Sequence, residues 1–193
     1  CLLLSSHPQK DKIENQRVLE LGAGCGLPSV VCRDVLGATS VVATDFWMEA
    51  EDALFDKDRL VPEVWHGINL QFNVDQKQPR AKAQRLDWHD LDSVRQCQAD
   101  IVVGSDLIYY PMDLEPLWNT MEILLHECGA KEILLVSPLQ PDTREAFPAF
   151  RQLLEAKSKE GFRVEMEELS LYKDEQMRKE NKDRILKMSI RKE

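Results

Sequence analysis

Three glycines alternate in the run Glu20-Leu-Gly-Ala-Gly-Cys-Gly26, directly after an apolar stretch and directly before one with helical periodicity. Glycine adopts backbone angles closed to other residues and lets a neighbour approach the chain. A strand that ends in such a bend and turns at once into a helix opens an α/β crossover unit. The flanks agree. Residues 16–21 are a short apolar run that reads as a buried strand. From Gly26 the apolar residues Leu27, Val30, Val31, Val35 and Leu36 recur near helical spacing until Gly37 stops them. Residues 40–44 (Ser-Val-Val-Ala-Thr) form a second strand, closing on Asp45.

The alternation continues to the end of the chain. Pro62 suits the first turn of a helix. Val64, Ile68 and Phe72 follow at four-residue steps, which predicts a helix over Pro62–Val74 with those side chains on one face. The acidic stretch before it (47–59) is a place for another short helix. Residues 81–86, 100–105 and 131–137 read as three more strands. Residues 114–127 read as a helix with Leu117, Met121, Leu124 and Leu125 on one face. Residues 143–159 read as a helix that Pro148 should kink or divide. Residues 162–171 and 184–191 form a last strand pair, joined by a Lys- and Glu-rich stretch (172–183) expected to be exposed or mobile. The predicted class is therefore α/β: a mostly parallel seven-stranded sheet, covered on both faces, with one antiparallel strand in the edge region. No repeat or domain boundary interrupts it, so residues 1–193 read as a single domain. Ligands of such sheets bind beyond the carboxyl ends of the strands, where strand order reverses. The loops after strands one, two and four are expected there.

Composition narrows the partners. Asp plus Glu is 34 and Lys plus Arg is 25, a net charge of −9. That argues against a nucleic-acid backbone as the main partner and is compatible with a basic protein or peptide. The five cysteines are widely spaced without a Cys-x-x-Cys, which reads as a reduced intracellular chain, expected in the cytoplasm or nucleus. No apolar run approaches the roughly 20 residues that span a bilayer, so no membrane association is expected. His7, His66, His89 and His126 show no metal-ligand spacing, and no metal is expected. No Ser/His/Asp set has nucleophile-elbow spacing. A monomer is expected.

The glycine spacing is informative about the ligand. A dinucleotide fingerprint, G-x-G-x-x-G, would place its third glycine at position 27, which is Leu27. Here the third glycine comes one residue earlier. The pyrophosphate reading is weakened, while a compact ligand such as an amino acid joined to a nucleoside fits. Asp45, about 20 residues past the glycines, is placed to accept both hydroxyls of a ribose.

The glycine run resembles motif I of the seven-β-strand S-adenosylmethionine-dependent methyltransferases. Three further segments resemble the lysine-methyltransferase-like branch, methyltransferase family 16. They are residues 68–73 (Ile-Asn-Leu-Gln-Phe-Asn), 86–88 (Leu-Asp-Trp) and 105–110 (Ser-Asp-Leu-Ile-Tyr-Tyr). The last carries the Asp-x-x-Tyr signature of that branch as Asp106 and Tyr109. The likeness covers residues 16 to about 161 and is looser beyond.

The resemblance implies a Rossmann-like three-layer sandwich, S-adenosylmethionine as cofactor and S-adenosylhomocysteine as product. Gly22, Gly24 and Gly26 would line the methionine part of the cofactor, with Glu20 and Ala23 of the same run. Asp45 would hold the ribose, with Phe46 beside it. Asp87 and Trp88 would flank the adenine, where an aromatic face offers stacking area. Ser105 would make a backbone contact, and Asp106 would sit near the reactive end. Two departures stand out. The tryptophan-bearing segment that usually precedes the first strand is not in this chain, so the N-terminal part of the family domain is expected to be missing, with residues 1–6 only its tail. The connection 49–63 is longer and more acidic than usual and reads as a solvated insertion, with a lid as the other reading.

A methyl acceptor must be neutral and in line. A free lysine has a pKa near 10.4, and burial favours loss of its proton. Asp106 and Tyr109 are expected to position that amine; Tyr110 reads as a cap on the strand edge. Methyltransferases acting on base amino groups often carry two prolines before the tyrosine, where this chain has Leu107 and Ile108. The leading reading is a protein N-methyltransferase acting on lysine. A small-molecule N-methyltransferase and a cofactor-binding assembly partner without activity stand as alternatives, and glycine spacing argues against a nicotinamide oxidoreductase.

Overall fold

The structure, a computed structural model, describes residues 7–47, 62–75, 80–138, 146–170 and 184–193. In chain order the elements are α1 (His7–Ile13), β1 (Arg17–Leu21), α2 (Leu27–Asp34), β2 (Ser40–Asp45), α3 (Pro62–Val74), β3 (Ala81–Arg85) and α4 (Leu91–Arg95). They continue with β4 (Ile101–Ser105), a 3-10 turn (Pro111–Asp113), α5 (Leu114–His126), β5 (Glu132–Pro138), α6 (Ala146–Lys157), β6 (Phe162–Ser170) and β7 (Arg184–Lys192). The seven strands form one sheet in the order β3-β2-β1-β4-β5-β7-β6. β1 to β5 run parallel to one another, and β7 runs antiparallel between β5 and β6. This is the predicted class, with the antiparallel strand one place in from the edge.

Parallel strands buried on both faces need apolar residues at odd and even positions alike. β1 and β4 supply them. Leu19, Leu21 and Val102 meet the buried stripes of α4, α5 and α6 on one face, together with Ile133 and Leu135 of β5. Val18, Ile101 and Val103 meet α1 and α2 on the other. Ala43 of β2 and Ala83 of β3 leave room for α3. α5 buries Leu117, Met121, Leu124 and Leu125, as its periodicity predicts.

On the α1 face the buried residues are only in part those the apolar spacing marks: Leu36 is buried and Val31 packs against the core, while other marked positions stand outside it. α2 buries Ser29 and Cys32 and leaves Leu27 and Val35 exposed. α3 leaves Phe72 69% exposed and buries Gly67, Leu70 and Val74. The cause is Trp47: a Cβ on Gly67 would stand 2.5 Å from its ring, so α3 lies on the indole through its glycine. Pro148 does not divide α6. It is the third residue of the helix, in the first turn, where an N–H has no intrahelical partner to lose. The predicted start of that helix at Thr143 lies outside the described residues. So do residues 1–6, the stretch 172–183 and nearly all of the acidic connection before α3. Neither α1 nor the five-residue α4 is signalled by periodicity; α4 is started by Asp90, whose side chain accepts from the Ser93 N–H. Among the described residues no helix is long and apolar enough to cross a membrane.

Candidate active site

β1 lies between β2 and β4, so the loops after β1 and β4 leave the sheet in opposite directions and open a crevice at its carboxyl edge. A cleft of about 830 Å³ occupies that place. Its lining includes Glu20, Gly22, Ala23, Gly24, Asp45, Phe46, Asp87, Trp88, Ser105, Asp106 and Tyr109. Of the residues expected to hold the cofactor, Gly26 alone does not line it. A Cβ there would strike Val74 at 2.6 Å and Leu70 at 2.9 Å, so this glycine lets α3 pack behind the loop. Cys25, Leu27, Pro28, Leu86, His89, Leu107, Tyr110 and Asp113 also line the cleft, and the sequence assigned none of them to cofactor or acceptor. Among the described residues that line it, five are acidic and none is Lys or Arg.

The bend after β1 is tied to β2 at two levels. Ala23 N–H donates to the Thr44 carbonyl at 2.9 Å, and the Thr44 hydroxyl donates to the Glu20 carbonyl at 2.6 Å. Gly24 then donates its N–H to Asp45 Oδ2 at 2.7 Å, so the carboxylate faces the bend as the ribose reading requires. Gly24 has φ +58, and a Cβ there would meet nothing within 4 Å. Its bare face opens into the cleft. Gly22 is different: a Cβ there would lie 2.5 Å from Leu107 Cδ2 and 3.6 Å from the Trp88 ring. Leu107 reaches back on its other side to Gly104, where a Cβ would lie 2.6 Å from Cδ1. The leucine is a wedge beneath the glycine bend, with half-buried Trp88 next to it.

The far wall begins at Asp106, a non-glycine residue at φ +64. Left-handed backbone at such a residue costs roughly 1 kcal/mol or more and is concentrated at functional sites. The conformation is held by its N–H, which donates to the Val136 carbonyl at 2.8 Å. Tyr109 donates its phenol to Asp106 Oδ2 at 2.8 Å, so the signature pair is joined across one turn of chain. Asp87 accepts from the His89 backbone N–H at 2.9 Å and lies 3.1 Å from its ring, at the opposite lip. Among the described residues no group of three or more His, Cys, Asp or Glu side chains is arranged to hold a metal.

Glu20 is buried behind the bend. Its carboxylate accepts from the Ser29 N–H at 3.0 Å, in the first turn of α2, and from the Ser29 hydroxyl. Burial pushes its pKa from 4.5 up to about 7, against the pull of the two Ser29 donors, and the neighbouring Asp45 charge adds to the rise. Between those values the unfolded chain loses a proton that the folded chain keeps. The stability tied to Glu20 is therefore full below about pH 4.5, falls as pH rises and levels off above about 7. Urea unfolding at pH 5 and pH 8 should show the protein weaker at pH 8 by up to about 3 kcal/mol. Glu20→Gln should remove that difference; an identical slope in the variant would show that another group carries it.

The sheet is that of S-adenosylmethionine-dependent methyltransferases: the Mesorhizobium loti enzyme of that name is similar at TM-score 0.60, with 13% identity over 97% of this chain and 98% of its own. The ribosomal protein L11 methylase of Lactobacillus delbrueckii is similar at TM-score 0.57, with 15% identity over 99% of this chain and 76% of its own. The profile of the lysine methyltransferase family matches residues 2–155, and the chain belongs to that family. Among its relatives, the protein N-terminal and lysine N-methyltransferase EFM7 of Cryptococcus neoformans is 28% identical over 71% of this chain and 44% of its own length. The protein N-lysine methyltransferase METTL21A of Danio rerio is 30% identical over 72% of this chain and 56% of its own. The calmodulin-lysine N-methyltransferase of Arabidopsis thaliana is 28% identical over 72% and 42%. The chain thus spans about half the length of the curated relatives it matches.

Proposed function

We propose that this chain binds S-adenosylmethionine in the cleft and methylates the side-chain amine of lysine in a protein. The observation that carries the reading is the pairing of two devices across one cleft: the open Gly24 bend bonded to Asp45, and the strained Asp106 bonded to Tyr109. The residues fit the cofactor. Gly24 presents bare backbone where a side chain would fill the cradle. Asp45 offers its carboxylate at the lip for ribose hydroxyls, and Trp88 and Phe46 offer ring faces for a base.

When bound, S-adenosylmethionine supplies an electrophilic methyl group on a sulfonium. The rest falls to the chain. Asp106 and Tyr109 supply a carboxylate and a phenol that hold an amine by hydrogen bonds and orient its lone pair. The carboxylates of Asp45, Asp87, Asp106 and Asp113, with no Lys or Arg among the described lining residues, favour entry of a cationic side chain. The ammonium proton must leave before transfer. Tyr109 is 48% and Tyr110 62% exposed, which gives it a route to water. Their exposure also supports a polypeptide acceptor over an enclosed small molecule. Buried thiols at Cys32, Cys97 and Cys128 support a reducing compartment, the cytoplasm or nucleus.

Calorimetry should detect binding of S-adenosylmethionine and none of NAD. The full-length protein, incubated with methyl-labelled cofactor and a cell lysate, should label a protein band, and hydrolysis should release the label as methyl-lysine. Label found only in small molecules would overturn the protein reading.

A further inference from the structure

The segment after Asp106 does more than carry Tyr109. It starts with Leu107 and Ile108, both buried, and ends in Leu114, also buried. Between these anchors Tyr109, Tyr110 and Met112 stand 48%, 62% and 78% exposed. The stretch is pinned, not loose: Asp113 N–H donates to the Tyr110 carbonyl at 3.1 Å, and Leu114 N–H closes the 3-10 turn on Pro111. A chain that buries both ends of an eight-residue segment and fixes its turn holds its large apolar side chains out in one place. Methionine and tyrosine held at a surface in this way are the composition of a contact patch. Tyr110 and Asp113 border the cleft, so the patch is continuous with the acceptor side of the site. Asp113 heads α5 but makes no capping bond to it, leaving its charge at the patch rather than in the helix.

We propose that Tyr110, Met112 and Asp113 form a docking ledge for the acceptor polypeptide, selecting a lysine with an apolar residue on one side and a basic residue on the other. Charge complementarity favours this occupant: among the described residues the ledge and cleft carry acids and no Lys or Arg, so a segment with acidic flanks is repelled. The inference rests on the lysine reading above.

The test uses the full-length protein with three probes: lysine amide, a peptide with a Leu-Lys-Arg centre, and one with an Asp-Lys-Glu centre. The Leu-Lys-Arg peptide should be methylated with kcat/KM at least tenfold above the Asp-Lys-Glu peptide. Met112→Ser should raise KM for the Leu-Lys-Arg peptide about fivefold with kcat unchanged, and Asp113→Asn should erase most of the preference between peptides. Both variants should bind S-adenosylmethionine as the parent does and melt within a degree or two of it. Equal rates on the two peptides, or variants with the parent KM, would overturn the ledge while leaving lysine methylation standing. Cofactor binding with no transfer to any of the three probes would overturn the lysine reading and the ledge with it.

Discussion

Asp106→Asn is expected to lower kcat by 100-fold or more while the protein still binds S-adenosylmethionine and unfolds at the parent temperature. Asparagine is the right test residue. Asp106 sits at φ +64, a conformation that asparagine tolerates and alanine does not, so the backbone turn is kept. The N–H to Val136 is unaffected, and the side chain can still meet the Tyr109 phenol. What disappears is the negative charge beside the amine. Loss of one well-placed electrostatic contact of this kind costs a few kcal/mol of transition-state stabilisation, the origin of the 100-fold figure. Single-turnover label transfer at saturating cofactor reads it directly. A variant with the parent rate would remove Asp106 from the chemistry.

Gly24→Val is expected to weaken S-adenosylmethionine binding by about 100-fold or more, equivalent to about 2.7 kcal/mol. Two effects act together. Without cofactor the new Cβ meets nothing within 4 Å, so the fold is expected to survive while losing at least the roughly 1–2 kcal/mol that a left-handed L-residue costs. With cofactor it occupies the cradle. Titration calorimetry and a thermal melt separate the two. Parent affinity in a folded variant would move the cofactor away from the bend. An unfolded variant is not expected, because Gly24 packs against no side chain; Gly22 and Gly26 lack that safety.

The bend, Asp45 and the Asp106–Tyr109 pair were legible because each is a short local pattern at a strand end, where backbone geometry and chemistry coincide in a few residues. The alternation of strands and helices was legible for the same reason. What escaped is decided at a distance. Phe72 carries the apolar signal of α3, yet the helix turns it outward because the indole of Trp47 accepts Gly67, and a glycine adds nothing to a hydrophobic stripe. Pro148 reads as a break in the sequence, whereas the structure puts it third in the described helix, where its missing N–H costs nothing. The five-residue α4 is too short to show a period. Glu20 reads as part of a cofactor motif, and only the fold reveals that its carboxylate is turned onto Ser29 beneath α2.

Leu107 has a consequence for how such a sequence can drift. Its two terminal methyls fill the places of the missing side chains at Gly22 and Gly104, positions more than eighty residues apart in the chain. A methyl gained at either glycine leaves one of the leucine's branches homeless, and turning it away drives it towards the other glycine. The three positions are therefore tied as a single inherited unit. A lineage that acquires alanine at Gly22 must move or shrink the residue at 107, and at Gly104 it must move Leu135 as well, so the floor shared by both halves of the site changes with either step.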